Sequence, residues 1–237
     1  ALRYFAGDLS EAERLWRRSA EIEEAAHGPD NWNFATSLHT LAIVCQDQDR
    51  FDEALELERR SLAIREKVLG PNHTHVALSL TTLGNLHRGM ENPTEAEPLI
   101  RRAIAIAEAA WEPHHGEIVW MRRSLARTLI DLEKFGAAEA ELDDLLATIK
   151  TGESPDDIPP VLEIYGDLHA RQGRYEQAKK YYLEAISRLQ EESPDGPWVG
   201  LATAGLARVY RDAGRFDDAE ASYRRAVELM GKGWGAS

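Results

Sequence analysis

The residues of this 237-residue chain best suited to chemistry are its histidines, its one cysteine and a few adjacent carboxylates. His73 and His75, and His114 and His115, form two close pairs in Pro- and Gly-containing segments. A zinc-binding helix face needs histidines four residues apart, so that both rings project from one side. These pairs are two and one apart, and they read as loop histidines with a capping role. Asp143-Asp144 and Asp156-Asp157 are neighbouring acids with no further group positioned to split acid and base roles between them, and they read as surface charge. A lone Cys45 excludes an internal disulfide and a multi-cysteine zinc site. No phosphate-binding glycine loop or nucleophile elbow occurs. The expectation is a protein that is not an enzyme, with no catalytic residue, no metal and no cofactor.

Composition narrows the partners. Lys and Arg total 28 against 41 Asp and Glu, a net charge of −13. Such a chain is repelled by phosphate backbones unless its cations are segregated, so nucleic acid is not expected. No apolar run approaches the ~20 residues that span a bilayer, and the N-terminus lacks the charged and apolar regions of a secretory signal. No membrane partner is expected, and the setting that fits is cytoplasmic.

The elements that position these side chains announce themselves through spacing. Pro29, Pro71, Pro113 and Pro155 stand 42 residues apart, with Pro194 39 further on, each in a break that stops one helix and starts the next. Ala12, Ala54, Ala96, Ala138, Ala178 and Ala219 repeat at 40–42 residues, and twelve before each of the last five is Ala42, Gly84, Ala126, Gly166 or Ala207. Small residues at both places let two antiparallel helices, A and B, approach closely. Three residues before each alanine of the series stand Leu9, Phe51, Pro93, Phe135, Tyr175 and Phe216, expected to wedge the turn.

Apolar residues between the breaks recur at helical intervals. The A and B helices are predicted near 32–47 and 51–69, 74–89 and 93–111, 116–131 and 135–150, 157–172 and 175–192, and 198–213 and 216–231. A fragment at 1–5 and a B helix at 9–27 precede them. Cys45 shares its helix A register with His87 and His169, which makes it a packed core thiol rather than a nucleophile. Glu13/Arg17, Glu56/Arg60, Glu97/Arg101 and Glu220/Arg224 have the order that favours i,i+4 ion pairs on helix B. Arg17-Arg18, Arg59-Arg60, Arg101-Arg102 and Arg224-Arg225 make a stripe expected to lie on a solvated outer face.

These residues resemble the tetratricopeptide repeat family, in particular the longer repeats of kinesin light chains and their bacterial relatives. Ser61-Leu62-Ala63-Ile64-Arg65-Glu66-Lys67-Val68-Leu69-Gly70-Pro71-Asn72-His73 matches the segment between repeats, and Leu83-Gly84-Asn85-Leu86 and Glu95-Ala96-Glu97-Pro98-Leu99 match the repeat body. The resemblance covers the whole chain, 1–237, as one array of about six units, the first incomplete. It implies an all-α solenoid, a right-handed superhelix of antiparallel helix pairs whose concave groove, lined by the A helices, binds a peptide or partner segment. The missing start of helix A in the first unit reads as an excised piece of a larger protein, with Leu15, Trp16 and Ile22 uncovered. The tail from Gly231 reads as too glycine-rich to form a capping helix, and the open ends suggest weak self-association.

Carried over from the family, the groove positions are Thr36, His39, Ile43 and Gln46; Leu78, Thr81, Asn85 and Arg88; and Trp120, Arg123, Arg127, Ile130 and Asp131. Glu163, Asp167 and Arg171, then Arg208, Arg211 and Asp212, complete them. Arginine dominates and lysine is absent, and a planar guanidinium suits carboxylates. The expected partner is therefore a protein or peptide, acidic in character, unless these arginines pair with Asp131, Glu163 and Asp167. The chain departs from kinesin light chains where these carry paired asparagines: it has His39-Thr40, Thr81-Thr82 and Arg123-Ser124. An adaptor, a peptide-sensing regulatory domain of a bacterial signalling protein and a self-associating structural solenoid are the three functions compatible with this reading.

Overall fold

A computed structural model describes residues 9–152 and 154–234, apart from the side chains of Gly233 and Trp234. The described residues are helical with no strand, and they group into two compact units that meet in sequence at Leu132 and Glu133. The first unit holds α1 (Leu9–His27), α2 (Trp32–Asp47), α3 (Phe51–Leu69), α4 (Thr74–Gly89), α5 (Pro93–Glu108) and α6 (Gly116–Asp131). The second holds α7 (Phe135–Thr151), a 3-10 turn (Pro155–Asp157), α8 (Ile158–Arg171), α9 (Tyr175–Glu192), α10 (Pro197–Asp212) and α11 (Phe216–Trp234). The expected fragment at 1–5 lies outside the described residues.

Within each unit the A helices α2, α4, α8 and α10 pack on their own B helices (α3, α5, α9, α11) and on the B helix before, and the A helix α6 packs on α5. The small-residue register makes this possible. Ala54, Ala96, Ala138 and Ala178 are fully buried, as are Ala42, Ala126 and Ala207. A Cβ added at Gly84 would lie 2.5 Å from Ile100, and one at Gly166 would lie 2.5 Å from Tyr182. The turns share one conformation as well. Asp49, Glu91, Glu133, Gly173 and Gly214 all have positive φ, between 58° and 74°. One left-handed residue per turn reverses the chain in three residues.

Four boundaries and contacts differ from the sequence reading. Helix α8 begins after a 3-10 turn because Pro159 and Pro160 lack an N–H and fit only where helical N–H groups are unpaired, in the first turn. Helix α5 ends at Glu108, and Trp111 folds back to stack on His115 at 4.3 Å. Helix α11 continues through Trp234, so the first glycines of the tail extend it. Phe51 sits against Gly89 of the following A helix, whereas Phe216 is exposed and wedges no turn.

The outer face carries the charge pattern. Arg17 pairs with Glu13, Arg101 with Glu97 and Arg224 with Glu220, as the i,i+4 order anticipates. Arg60 instead reaches across to Glu24 of the previous B helix at 2.6 Å, and Arg102 reaches Glu66 at 2.7 Å. The long guanidinium bridges neighbouring repeats where Glu56 had been expected to hold it. Glu13 accepts from both Arg50 and Arg17, which holds its carboxyl down at about 2, the Arg50 hydrogen bond being the larger cause.

Candidate binding face of the A helices

The A helices lie beside one another within each unit, α2 by α4, α4 by α6, and α8 by α10. The residues that pack on the B helices are buried, and the proposed groove residues fall between the buried rows, with His39 and Asp167 touching a B helix from the edge. His39, Gln46, Asn85, Arg88, Trp120, Arg123, Arg127 and Asp167 are half-buried, and Arg171, Arg208 and Arg211 are exposed. Of the remaining inner positions, Thr81 and Ile130 are buried and belong to the core. Thr81 spends its hydroxyl on the Ala77 carbonyl at 2.9 Å.

Each helix start is fixed by a side chain suited to it. Asn31 caps α2 by accepting from the Asn33 N–H at 2.9 Å. The loop histidines do the same work: Nδ1 of His73 accepts from the His75 N–H at 3.2 Å, and Nδ1 of His115 from the Glu117 N–H at 3.3 Å. Each ring thereby supplies the side-chain acceptor that a helix start calls for. Cys45 is fully buried, and burial pushes its thiol up, away from the reactive thiolate. Among the described residues no group of three or more His, Cys, Asp or Glu is arranged to hold a metal ion.

In the first unit the half-buried row is built on α4 and α6. Asn85 donates to Ser124 Oγ at 3.2 Å, and Arg88 donates to Asp131 at 3.5 Å, so the two helices are joined through the very residues assigned to the face. Trp120 packs partly against the buried cluster of Val76, Leu80, Ile106 and Met121 while keeping an exposed edge. Arg127 stands two turns along α6 from it and makes no hydrogen bond or ion pair among the described residues. On α2, His39 sits above Glu58, whose carboxylate is fully buried, with Nδ1 2.8 Å from the nearer oxygen.

In the second unit Asp167 is the hub. It accepts from the Tyr182 hydroxyl at 2.6 Å and from Arg208 at 3.3 Å. Burial, reinforced by the Asp167 charge, pushes the Tyr182 phenol far above its ordinary range. Arg211 turns to its neighbour Asp212 at 2.8 Å. Internal pairing therefore accounts for Arg88, Arg208 and Arg211.

Sequence reasoning passed over Glu58 and Tyr182, the supports beneath the face. The signal was available: Glu58, Ile100, Leu142, Tyr182 and Tyr223 share one register opposite the small helix A residue, and Glu58 is its one charged member. It also passed over Arg65, a fully buried cation that donates to the His75 carbonyl at 3.1 Å and Ser79 Oγ at 2.7 Å, and lies under the Trp32 ring.

Solved structures of known proteins share this fold. BtubC (BKLC) from P. vanneervenii is 21% identical over 94% of this chain and 91% of its own, with a TM-score of 0.69. A putative kinesin light chain of nearly identical TPR-like repeats from Podosopora anserina is 20% identical over 87% and 98%, with a TM-score of 0.62. The Rap conjugation gene regulator of plasmid pLS20, in complex with the Phr* peptide, is 17% identical over 89% of this chain and 56% of its own, with a TM-score of 0.73. No curated protein sequence gives a significant match. The tetratricopeptide repeat profile matches residues 1–67, 33–109, 75–150 and 157–232, and with the helix pairs and their small-residue register this establishes that the chain belongs to the tetratricopeptide repeat family.

Proposed function

We propose that this chain is a non-catalytic interaction module whose A-helix face binds an extended peptide or partner segment carrying acidic side chains. The observation that carries the reading is the α6 row, where half-buried Trp120 and the unpaired guanidinium of half-buried Arg127 lie two turns apart on one side of the helix. An apolar side chain of a ligand packs on the indole while a carboxylate beside it meets the guanidinium. Asn85, in hydrogen-bond contact with Ser124, offers its amide to a ligand backbone next to that site. The pLS20 regulator, similar in fold, was solved with a peptide bound, which supports a peptide as the ligand class.

The test is a peptide array read with the parent, with Arg123→Glu/Arg127→Glu and with Arg59→Ala/Arg60→Ala on the outer face, at low and moderate salt. The expected outcome is enrichment of acidic, aromatic- or aliphatic-containing peptides, weakening with salt and lost in the α6 variant alone. Enrichment of basic peptides, or loss of binding in the outer-face variant alone, refutes the acidic-ligand reading.

A further inference from the structure

Glu58 is the one charge in an otherwise apolar and aromatic register, and it is fully buried. Ile100, Leu142 and Tyr182 fill the same place in later repeats. A buried carboxylate gives up its hydration, and a well-packed apolar residue serves a core as well or better. What Glu58 does that isoleucine and leucine cannot is hold an imidazole. Both its oxygens lie within hydrogen-bond reach of His39 Nδ1, at 2.8 and 3.0 Å, and neither side chain makes another hydrogen bond among the described residues.

An ionised carboxylate only accepts, so the proton of this contact sits on Nδ1. The bond made at one ring nitrogen decides what the other can offer, and Nε2 is left with its lone pair. That nitrogen also has an outlet: the His39 side chain keeps 17% of its surface, and Nε2 is not enclosed. Arg65, fully buried two turns along α3, already answers the Glu58 charge, which leaves nothing beneath the ring to favour a second proton. His75 at the start of α4, in electrostatic range of His39, brings no anion either.

We propose that Glu58 is a positioning residue: it locks His39 as the Nδ1–H tautomer, and Nε2 accepts a main-chain N–H of an extended peptide on the A-helix face. Resting on the peptide-binding function proposed above, this role adds a neutral anchor to it. Ligand carboxylates go to Arg127 on α6, and a ligand backbone donor goes to α2.

The experiment has two arms. In the first, the full chain carries nitrogen-15 in its imidazoles, and the signals lost in His39→Phe identify the ring. At about pH 7.5 Nδ1 should be protonated and Nε2 bare, whereas in Glu58→Leu the ring should shift towards Nε2–H. In the second, the acidic peptide most enriched on the array is compared with copies methylated at one main-chain nitrogen each. At one position methylation should weaken binding to the parent about tenfold or more, a loss that His39→Phe and Glu58→Leu each cut to below about threefold. A parent ring protonated at Nε2 overturns the proposal and leaves the acidic-ligand reading standing. So does a scan with no sensitive position, or a methyl penalty that persists in both variants. Should Glu58→Leu not fold, the parent spectrum and the His39→Phe scan decide alone. An array with no enriched peptide refutes the interaction function itself, and the role of Glu58 in binding falls with it.

Discussion

Glu58 in the first unit and Tyr182 in the second occupy the same repeat register, and both hold up a residue of the A-helix face. The carboxylate of Glu58 holds His39, while the hydroxyl of Tyr182 holds Asp167 and, through it, Arg208. The two supports differ in what they cost. A buried carboxylate gives up hydration that one partner at the edge only partly restores. A phenol brings its own apolar ring, and that ring fills the slot between Gly166 of α8 and Gly205 of α10. The outer faces diverge in parallel. Arg60–Glu24 and Arg102–Glu66 tie adjacent B helices of the first unit, whereas Gln190 stands where the acid would be for Arg225, which turns to Asp195 and Glu228. One skeleton of small residues accepts charge as its fastener in one place and an aromatic ring in another.

The largest test of this contrast is Tyr182→Ala. It removes the ring between two glycines and should cost about 3–5 kcal/mol, with loss of hydrogen-exchange protection centred on α8 to α10. A cost below ~1 kcal/mol would mean that the ring does not set the packing. Ala96→Leu in the first unit follows, at roughly 1–3 kcal/mol from overpacking against α4, measured by urea melts. Glu58→Leu adopts the apolar solution already used at Ile100 and Leu142. Its expected effect is within about 1 kcal/mol of neutral, on either side, because a well-packed apolar residue often replaces a buried ion without loss. If Glu58→Leu proves as damaging as Tyr182→Ala, the two supports are equivalent and the comparison fails.

Smaller still is Arg60→Ala/Arg102→Ala, at about 0.2–1 kcal/mol per pair, shrinking as salt is added. A loss independent of salt would point to the packing of the arginine stems instead. The smallest effect is acidic. Burial, helped by Arg59 near His87 and Arg174 near His169, keeps both imidazoles below the ordinary histidine range. The unfolded chain therefore takes up protons first as pH falls, and stability should drop from about pH 7 downwards. His87→Cys/His169→Cys, which copies the residue of repeat 2 at that register, should flatten the fall in melting temperature between pH 7.5 and 5.5. An unchanged slope would move the cause elsewhere.

The architecture was legible because it is written in spacing. Proline breaks and alanines 40–42 apart fix which residues face which, and every alanine expected at a helix crossing from Ala54 to Ala219 is buried. What spacing does not carry is the reach of a long side chain. Arg60 had a glutamate four residues away and one 36 residues away in sequence, and only the packed helices decide that Glu24 is the partner. Exposure at the ends was half legible: Leu15 and Ile22 are uncovered, but Trp16 packs beside Leu41 and Leu55, because α2 reaches it. For the face itself, register only assigns residues to a side, and pairing such as Arg88 with Asp131 depends on distances that sequence does not hold.

The tyrosines of the second unit have a consequence at the alkaline end of the scale. Burial and the nearby Asp143 and Asp167 carboxylates keep the hydroxyls of Tyr165 and Tyr182 protonated well past the point at which a free phenol ionises. Once unfolded, the same phenols lose their protons near pH 10. The stability they confer is complete below that pH and drains away above it, while the fold itself hides the groups that hydroxide attacks. Residues 133–234 thus carry an internal limit set by base, reported directly by the ultraviolet absorbance of phenolate as each ring is released.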